Sequence, residues 1–370
     1  MNHTDILSIA AHFDLGGTPV RIKELTAGNI NMTYRLDMGE DKSAPRYVLQ
    51  RINTEAFQNP AALMENIGRV TEHIRRGYEA EGIDATRRVL SFVKTDNGTL
   101  LYTDESGAWR AYRYVDNVTA YDAIESPAIF REAGRGFGDF QARLSDFPAE
   151  LLYETIPGFH NTPRRYEAFR AAVNTDAAGR TAGVAEDIAF FHERVSLMGS
   201  VVTRLGRDLP LRVTHNDTKL NNVLIDNETG RALCVIDLDT VMPGSPLYDY
   251  GDAVRYGACT AAEDEPDLTK IDLNMELFRA FTDGFVGATA GGLTPTEIRA
   301  LPTGIAVITC ELAMRFLTDY LNGDIYFKTN YPTHNLVRAR AQMQLLRKIE
   351  ERMDEMNTYV EGLLRSSVGS

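Results

Sequence analysis

The chain has 370 residues, with 39 Lys plus Arg against 52 Asp plus Glu, so its formal net charge is −13 with histidine neutral. Hydrophobic residues make up 44% and charged residues 25%, a globular balance that excludes disordered, collagen-like and low-complexity classes. The acidic excess argues against a nucleic-acid partner, because no basic patch offsets the overall field.

No uninterrupted apolar run of 18 residues is present, so neither a transmembrane helix nor a membrane partner is expected. The first 17 residues carry Asp5 and Asp14 and lack a basic leader, so they do not read as a signal peptide. Cys234, Cys259 and Cys310 are too scattered for a zinc site or a disulfide framework. The expected compartment is cytoplasmic.

The chain opens with a short amphipathic helix near Ile6–Phe13. Strand-like runs rich in β-branched and aromatic residues follow at Val20–Thr26, Thr33–Met38 and Tyr47–Ile52. Asn59-Pro60 then starts a helix whose Leu63, Ile67, Val70 and Ile74 recur at helical spacing. Further strands are predicted at Val89–Val93, Thr99–Thr103 and Ala108–Val115, with Asp96-Asn97-Gly98 as a turn. Residues 1–115 thus read as a small, mainly antiparallel β-rich lobe.

Residues 116–370 read as a larger helical lobe. Phe130, Gly134, Phe137 and Gln141 share one helical stripe, whose small residues permit close packing. Further helices are predicted at Arg164–Val173, Ile188–Leu205, Leu277–Val286, Thr309–Leu321 and, as one long element, Asn335–Leu364. Arg212–Asp239 interrupts them as a polar loop followed by a hairpin, with two apolar runs flanking the turn 226–230.

Chemistry concentrates in that interruption. Asp217 and Asn222 are separated by four residues, the spacing of a kinase catalytic loop in which the Asp is the base and the Asn a metal ligand. Asp237, at the end of the second strand of the hairpin, supplies a second metal ligand. Lys219 offers a cation for a transferring phosphoryl group. A bare turn is the competing reading for such a polar loop, but the ordered strands and the second Asp favour the catalytic one.

The loop HNDTKLNNVLID with IDLD resembles the aminoglycoside phosphotransferase and choline kinase superfamily, as does the helix EAGRGFGDFQARL. This resemblance implies a protein-kinase-like, two-lobed α+β fold that uses ATP and Mg2+. YVLQRIN, FHNTPRR, IDLDTVMPGSPLYDYGD and MRFLTDYLNGDIYF narrow it to the N-acetylhexosamine 1-kinases, over Gly28 to Arg340. A small-molecule sugar would then receive phosphate on its anomeric hydroxyl. An aminoglycoside- or choline-type kinase is the alternative, and a catalytically inert kinase-like binding protein the third reading.

By the same resemblance Asp249 braces the catalytic loop, and Gly28, Asn29 and Asn31 form the turn over the phosphates. Gln50 stands where the family often has a Lys or Arg, which leaves a Lys–Glu ion pair of the protein-kinase kind without its cation. Glu65 is either a partner for some basic group or a solvated surface residue. Tyr112, Tyr114 and Val115 flank the adenine or pack the core.

For the sugar, hydroxyl-binding polar groups beside aromatic faces are needed. Arg315 is the leading candidate, because an Arg within the apolar stretch ITCELAMRFL requires a partner. His160, Asn161, Asp252 and Tyr320 complete the candidate set. The polar face of an ordinary amphipathic helix is the alternative for residues 315–326.

Overall fold

The computed structural model describes residues 3–25, 31–41, 43–289 and 291–368. They separate into two compact units. The first comprises residues 1–119, 150–156 and 224–242; the second comprises 120–149, 157–223 and 243–370.

The first unit is built on an antiparallel sheet. Strands Arg21–Leu25, Met32–Asp37, Arg46–Ile52 and Gly107–Arg113 lie in that order, followed by Phe92–Val93, with Tyr102–Asp104 also on the 107–113 strand. Strand alternation sorts the two faces. Tyr34, Leu36, Leu49, Trp109 and Ala111 form a core with Ile6, Ile9, Ala10 and Phe13. Thr33, Gln50 and Arg110 therefore lie on the opposite face, in register: Gln50 is the cross-strand partner of both Thr33 and Arg110.

Helix Pro60–Ala80 starts where Asn59 accepts the Ala62 N–H at 3.0 Å and Pro60 takes the first turn. Its Leu63, Ile67, Val70 and Ile74 are buried at the spacing the sequence showed, and Met64 is buried beside them. Each such burial stabilises by about 1.5–3 kcal/mol. The opening helix spans His3–Ala10, three residues ahead of the expected Ile6–Phe13. Of the run Val89–Val93 only Phe92–Val93 pairs in the sheet; Val89 and Leu90 are buried as loop residues.

The second unit is helical. Helix Pro127–Arg143 crosses helix Met275–Ala288 so closely that a Cβ on Gly134 would lie 2.3 Å from the Phe281 carbonyl oxygen. A Cβ on Gly284 would come within 2.0 Å of the Arg131 carbonyl oxygen. The small-residue stripe is thus a backbone contact surface.

The central helix, Pro295–Leu321, begins fourteen residues before the expected Thr309. A capping box starts it: Thr294 and Glu297 satisfy each other's backbone N–H groups, at 3.2 and 2.7 Å. By length and hydropathy alone this helix could cross a membrane, but 83% of its most apolar window is buried within the structure.

Two expected helices are broken. Ile188–Leu205 resolves into Ala185–His192, Val195–Met198 and a 3-10 turn at Val202–Arg204. Gly199 and the β-branched run after it disfavour a continuous helix. Asn335–Leu364 divides into His334–Glu351 and Met353–Val368. Arg352, at the break, turns its guanidinium to Asp272, with bonds of 2.6 and 3.2 Å.

Candidate active site

In the helical unit, strand Arg212–Thr214 runs straight into the loop that carries Asp217. His215 is fully buried, edge-on to Phe137 and Phe140 at 5.5 and 5.9 Å. Asn216 adopts a left-handed φ of 65°, a conformation Asn tolerates better than most residues. Asp249, in the first turn of helix Pro246–Gly257, holds this turn from beneath. Its Oδ2 accepts the His215 N–H at 2.8 Å, and its Oδ1 accepts the Asn216 N–H at 2.7 Å. Gln141 donates to the same carboxylate at 3.0 Å and to the Val213 carbonyl at 3.1 Å. Burial pushes the Asp249 carboxyl upward in pKa, opposed by His215 and by the two backbone N–H groups.

The loop sets Asp217 among defined partners. Its backbone N–H donates to His215 Nδ1 at 3.2 Å. Lys219 Nζ lies 2.7 Å from Asp217 Oδ1. Asn222 Nδ2 donates to the Asp217 carbonyl at 2.8 Å and to Oδ2 at 3.2 Å. Asp217, Lys219 and Asn222 are therefore one cluster. Because the Asn222 amide nitrogen faces Asp217, its Oδ1 remains as a hard oxygen donor, the type magnesium takes.

The sheet unit carries the other acidic segment. Strands Val223–Asp226 and Ala232–Val235 lie side by side, with Val118–Thr119 flanking the first. Beyond the second, Asp237 takes a left-handed φ of 59° and opens the turn Leu238–Thr240. Its carboxylate is a hard oxygen donor, of the type magnesium takes. Asp239, two residues on, is buried in an ion pair with Arg110. Asn31 donates to Asp239 Oδ2 at 2.7 Å and accepts the Asn53 N–H at 2.9 Å. Gln50 Oε1 accepts two bonds from Arg110, at 3.0 and 2.8 Å, and its amide donates to Thr33 at 3.1 Å.

Gln50 and Asn31 thus meet in one buried network around Arg110 and Asp239. Sequence reasoning missed Arg110, whose partners lie 60 and 129 residues away. It also missed Asn66, which bonds the Val241 carbonyl at 3.0 Å and both backbone groups of Tyr153 at 2.8 Å. Glu65 forms a half-exposed pair with Arg69, one turn along its own helix. Gly28 and Asn29 lie outside the described residues. Tyr112 packs on Phe92 at 5.3 Å, Tyr114 lies beside the Arg35 and Arg46 guanidinium groups, and Val115 is buried.

The sugar candidates divide. Arg315 lines a cavity of about 260 Å³ in the helical unit with Arg165, Thr318, Tyr326 and Phe327. Its guanidinium lies 5.9 Å from the Tyr326 ring centre and 5.6 Å from that of Phe327. Burial and the neighbouring Arg315 both depress the pKa of Arg165. Asp319 also lines the cavity, but its oxygens accept the backbone N–H groups of Ile325, Tyr326 and Phe327 and the Asn335 amide.

One turn before Arg315, buried Glu311 accepts a bond from Thr162 at 2.6 Å and lies 2.9 Å from His160 Nδ1. The His160 ring is 4.9 Å from Tyr248, the residue before Asp249. This chain of contacts connects the cavity wall to the brace of the Asp217 loop. Asn161 accepts the Arg164 N–H at 3.1 Å as a helix cap. Asp252 is held by Arg255 at 2.9 Å. Tyr320 lies under Arg180, 4.4 Å from ring centre to guanidinium, and is not among the cavity-lining residues.

Solved structures share this architecture. The microcompartment-associated aminopropanol kinase superposes with a TM-score of 0.62 at 18% identity, covering 96% of this chain and 99% of that one. Spectinomycin phosphotransferase, solved with ADP and spectinomycin, gives 0.55 at 14% identity, covering 98% and 99%. A choline/ethanolamine kinase family protein from Mesorhizobium loti gives 0.52 at 14%, covering 97% and 99%. At these identities the likeness speaks for the fold, a protein-kinase-like α+β arrangement. The profile of the phosphotransferase enzyme family APH matches residues 21–278, a segment that takes in both acidic clusters. This chain belongs to that phosphotransferase family.

Proposed function

We propose that the protein transfers the γ-phosphoryl group of ATP to the anomeric hydroxyl of N-acetylglucosamine or N-acetylgalactosamine. Asp217 accepts the hydroxyl proton as the sugar oxygen bonds to the γ-phosphorus and the bond from that phosphorus to the bridging oxygen of ADP breaks. Lys219, paired with Asp217, orients it and offers positive charge to the transferring group. Asn222 and Asp237 are the residues that would hold magnesium, which neutralises phosphate charge when bound.

Nucleotide binding is assigned to residues 1–115 and sugar binding to 116–370. Within the first, Gly28 and Asn29 serve the phosphates, Asn31 and Gln50 act through the buried network around Arg110 and Asp239, and Tyr112, Tyr114 and Val115 serve the adenine. Within the second, Arg315 is the principal sugar contact, with His160 behind it. Asn161, Asp252 and Tyr320 act by holding the local structure.

The observation that carries the sugar reading is the pair Arg165–Arg315 in an aromatic-walled cavity. Guanidinium groups donate well to hydroxyl and acetamide oxygens, and rings suit the apolar face of a sugar. They repel cations. Amine-bearing acceptors of the choline or aminoglycoside kind would meet two positive charges in this cavity and one carboxylate, Asp319, whose oxygens are already taken by backbone N–H groups and Asn335, which disfavours the alternative kinase class.

Phosphorus NMR of the product tests the assignment. N-acetylglucosamine and N-acetylgalactosamine should give a 1-phosphate, whereas their methyl glycosides, choline and ethanolamine should give nothing. A 6-phosphate, or turnover of a methyl glycoside, would remove the anomeric assignment.

A further inference from the structure

The third strand has Gln50 at the position where a kinase sheet commonly presents a cation, yet the sheet still holds one on the same face. Arg110, directly across from Gln50 on the neighbouring strand, fills that place. It is 3% exposed, and its nitrogens are engaged. Nε and one terminal nitrogen donate to the Gln50 side-chain oxygen Oε1, and the other terminal nitrogen binds Asp239 and also lies 3.8 Å from the Met64 sulfur. The Phe92 ring closes the site, 5.9 Å from the guanidinium carbon.

A buried Arg so occupied is poorly placed to grasp phosphate. What it does hold is the segment Asp237-Leu238-Asp239. Asn31 grips the second oxygen of Asp239, and Asn66 holds the Val241 carbonyl. Asp237 itself sits in a left-handed conformation, φ 59°, which Asp tolerates better than most residues. The carboxylate of Asp239 is committed to Arg110 and Asn31, and Asp237, two residues before it, lies within electrostatic reach of the same guanidinium.

We propose that Arg110 is a positioning residue for the metal site: by fixing Asp239 it sets the Asp237 carboxylate for magnesium. This rests on the reading of Asp237 as a metal ligand. The sheet cation then acts on the metal segment, and Gln50 serves as its cradle.

Calorimetric titration of ADP, with saturating magnesium and again in excess EDTA, tests this on the intact protein. In the unaltered protein magnesium should strengthen ADP binding; an absence of that effect would overturn the Asp237 reading itself. Given the effect, Arg110→Met should weaken ADP binding tenfold or more with magnesium and less than threefold in EDTA. Equal weakening under both conditions would mean direct phosphate contact or general disruption, and no weakening would mean no positioning role; either overturns the proposal. If Arg110→Met does not fold, Arg110→Lys carries the same comparison, because it keeps the charge facing Asp239 but cannot fork onto Gln50. It should lose affinity threefold or more with magnesium and remain unchanged in EDTA, and any other pattern counts against the proposal.

Discussion

Asp249 Oδ1 accepts the Asn216 N–H at 2.7 Å, and Asn216 is the left-handed residue immediately before Asp217. The direction in which Asp217 leaves the loop therefore depends on a carboxylate 32 residues away. Asp249→Asn replaces one acceptor oxygen with a donor, and either backbone N–H or the Gln141 amide then faces it. An unsatisfied buried donor costs about 1–3 kcal/mol. The variant should show a lowered melting temperature and a kcat lowered by roughly 10²-fold, since a displacement near 1 Å at the reacting group has that effect. Wild-type turnover in a folded Asp249→Asn protein would show that the brace is not needed.

Asp217→Asn keeps the shape of the loop and removes the base. A general base contributes roughly 10²–10⁴-fold, so kcat should fall by at least about 10². The KM for ATP should change little, because loss of a group acting only in the transition state leaves ground-state binding intact. Steady-state kinetics with both substrates varied makes the comparison, and near-normal kcat would exclude Asp217 as the base.

Glu311 gives a pH dependence whose sign follows from its surroundings. Burial alone would raise its pKa, but His160, Thr162 and Arg315 draw it below the ordinary glutamate value. The folded protein thus favours the ionised form more than the unfolded chain does. Its contribution is complete above the unfolded value, about 4.3, and is lost as the pH falls through the lower folded value. Melting temperature plotted against pH should consequently fall less steeply on the acid side for Glu311→Gln than for the unaltered chain. Superimposable acid limbs would exclude this contribution.

What the sequence disclosed was mostly local. Asp217 and Asn222 were readable because four residues separate them, and the hairpin after them because its turn is flanked by apolar runs. Thr294-Pro295-Thr296-Glu297 is a helix start of the same local kind, yet the internal Pro302 and Gly304 disguise the helix beyond it. Arg110 was not readable: an Arg on a strand declares nothing until strand pairing sets it opposite Gln50 and the chain returns with Asp239. Asn66 and Glu311 were hidden for the same reason, since their hydrogen-bond partners lie 87 or more residues away. The break at Arg352 depends on Asp272, 80 residues distant, and no local signal marks it.

Arg315 separates a binding role from a packing role. Among the described residues its guanidinium shows no hydrogen bond; it faces the rings of Tyr326 and Phe327 and lies within electrostatic reach of Glu311. A cation–π contact at a partly open site contributes about 0.5–1 kcal/mol, and relief of the repulsion from Arg165 acts in the opposite direction. Arg315→Met retains an unbranched apolar stem against the rings, so the melting temperature should stay close to that of the unaltered protein. If the guanidinium binds hydroxyl or acetamide oxygens, the variant forfeits charged hydrogen bonds worth about 1.5–3 kcal/mol, which is roughly a 10- to 100-fold rise in KM for the sugar. The KM for ATP should remain within about twofold, because nucleotide binding is assigned to the other unit. A matched rise in both KM values together with a lower melting temperature would identify Arg315 as a packing residue of the 295–321 helix and would leave the sugar without its principal contact.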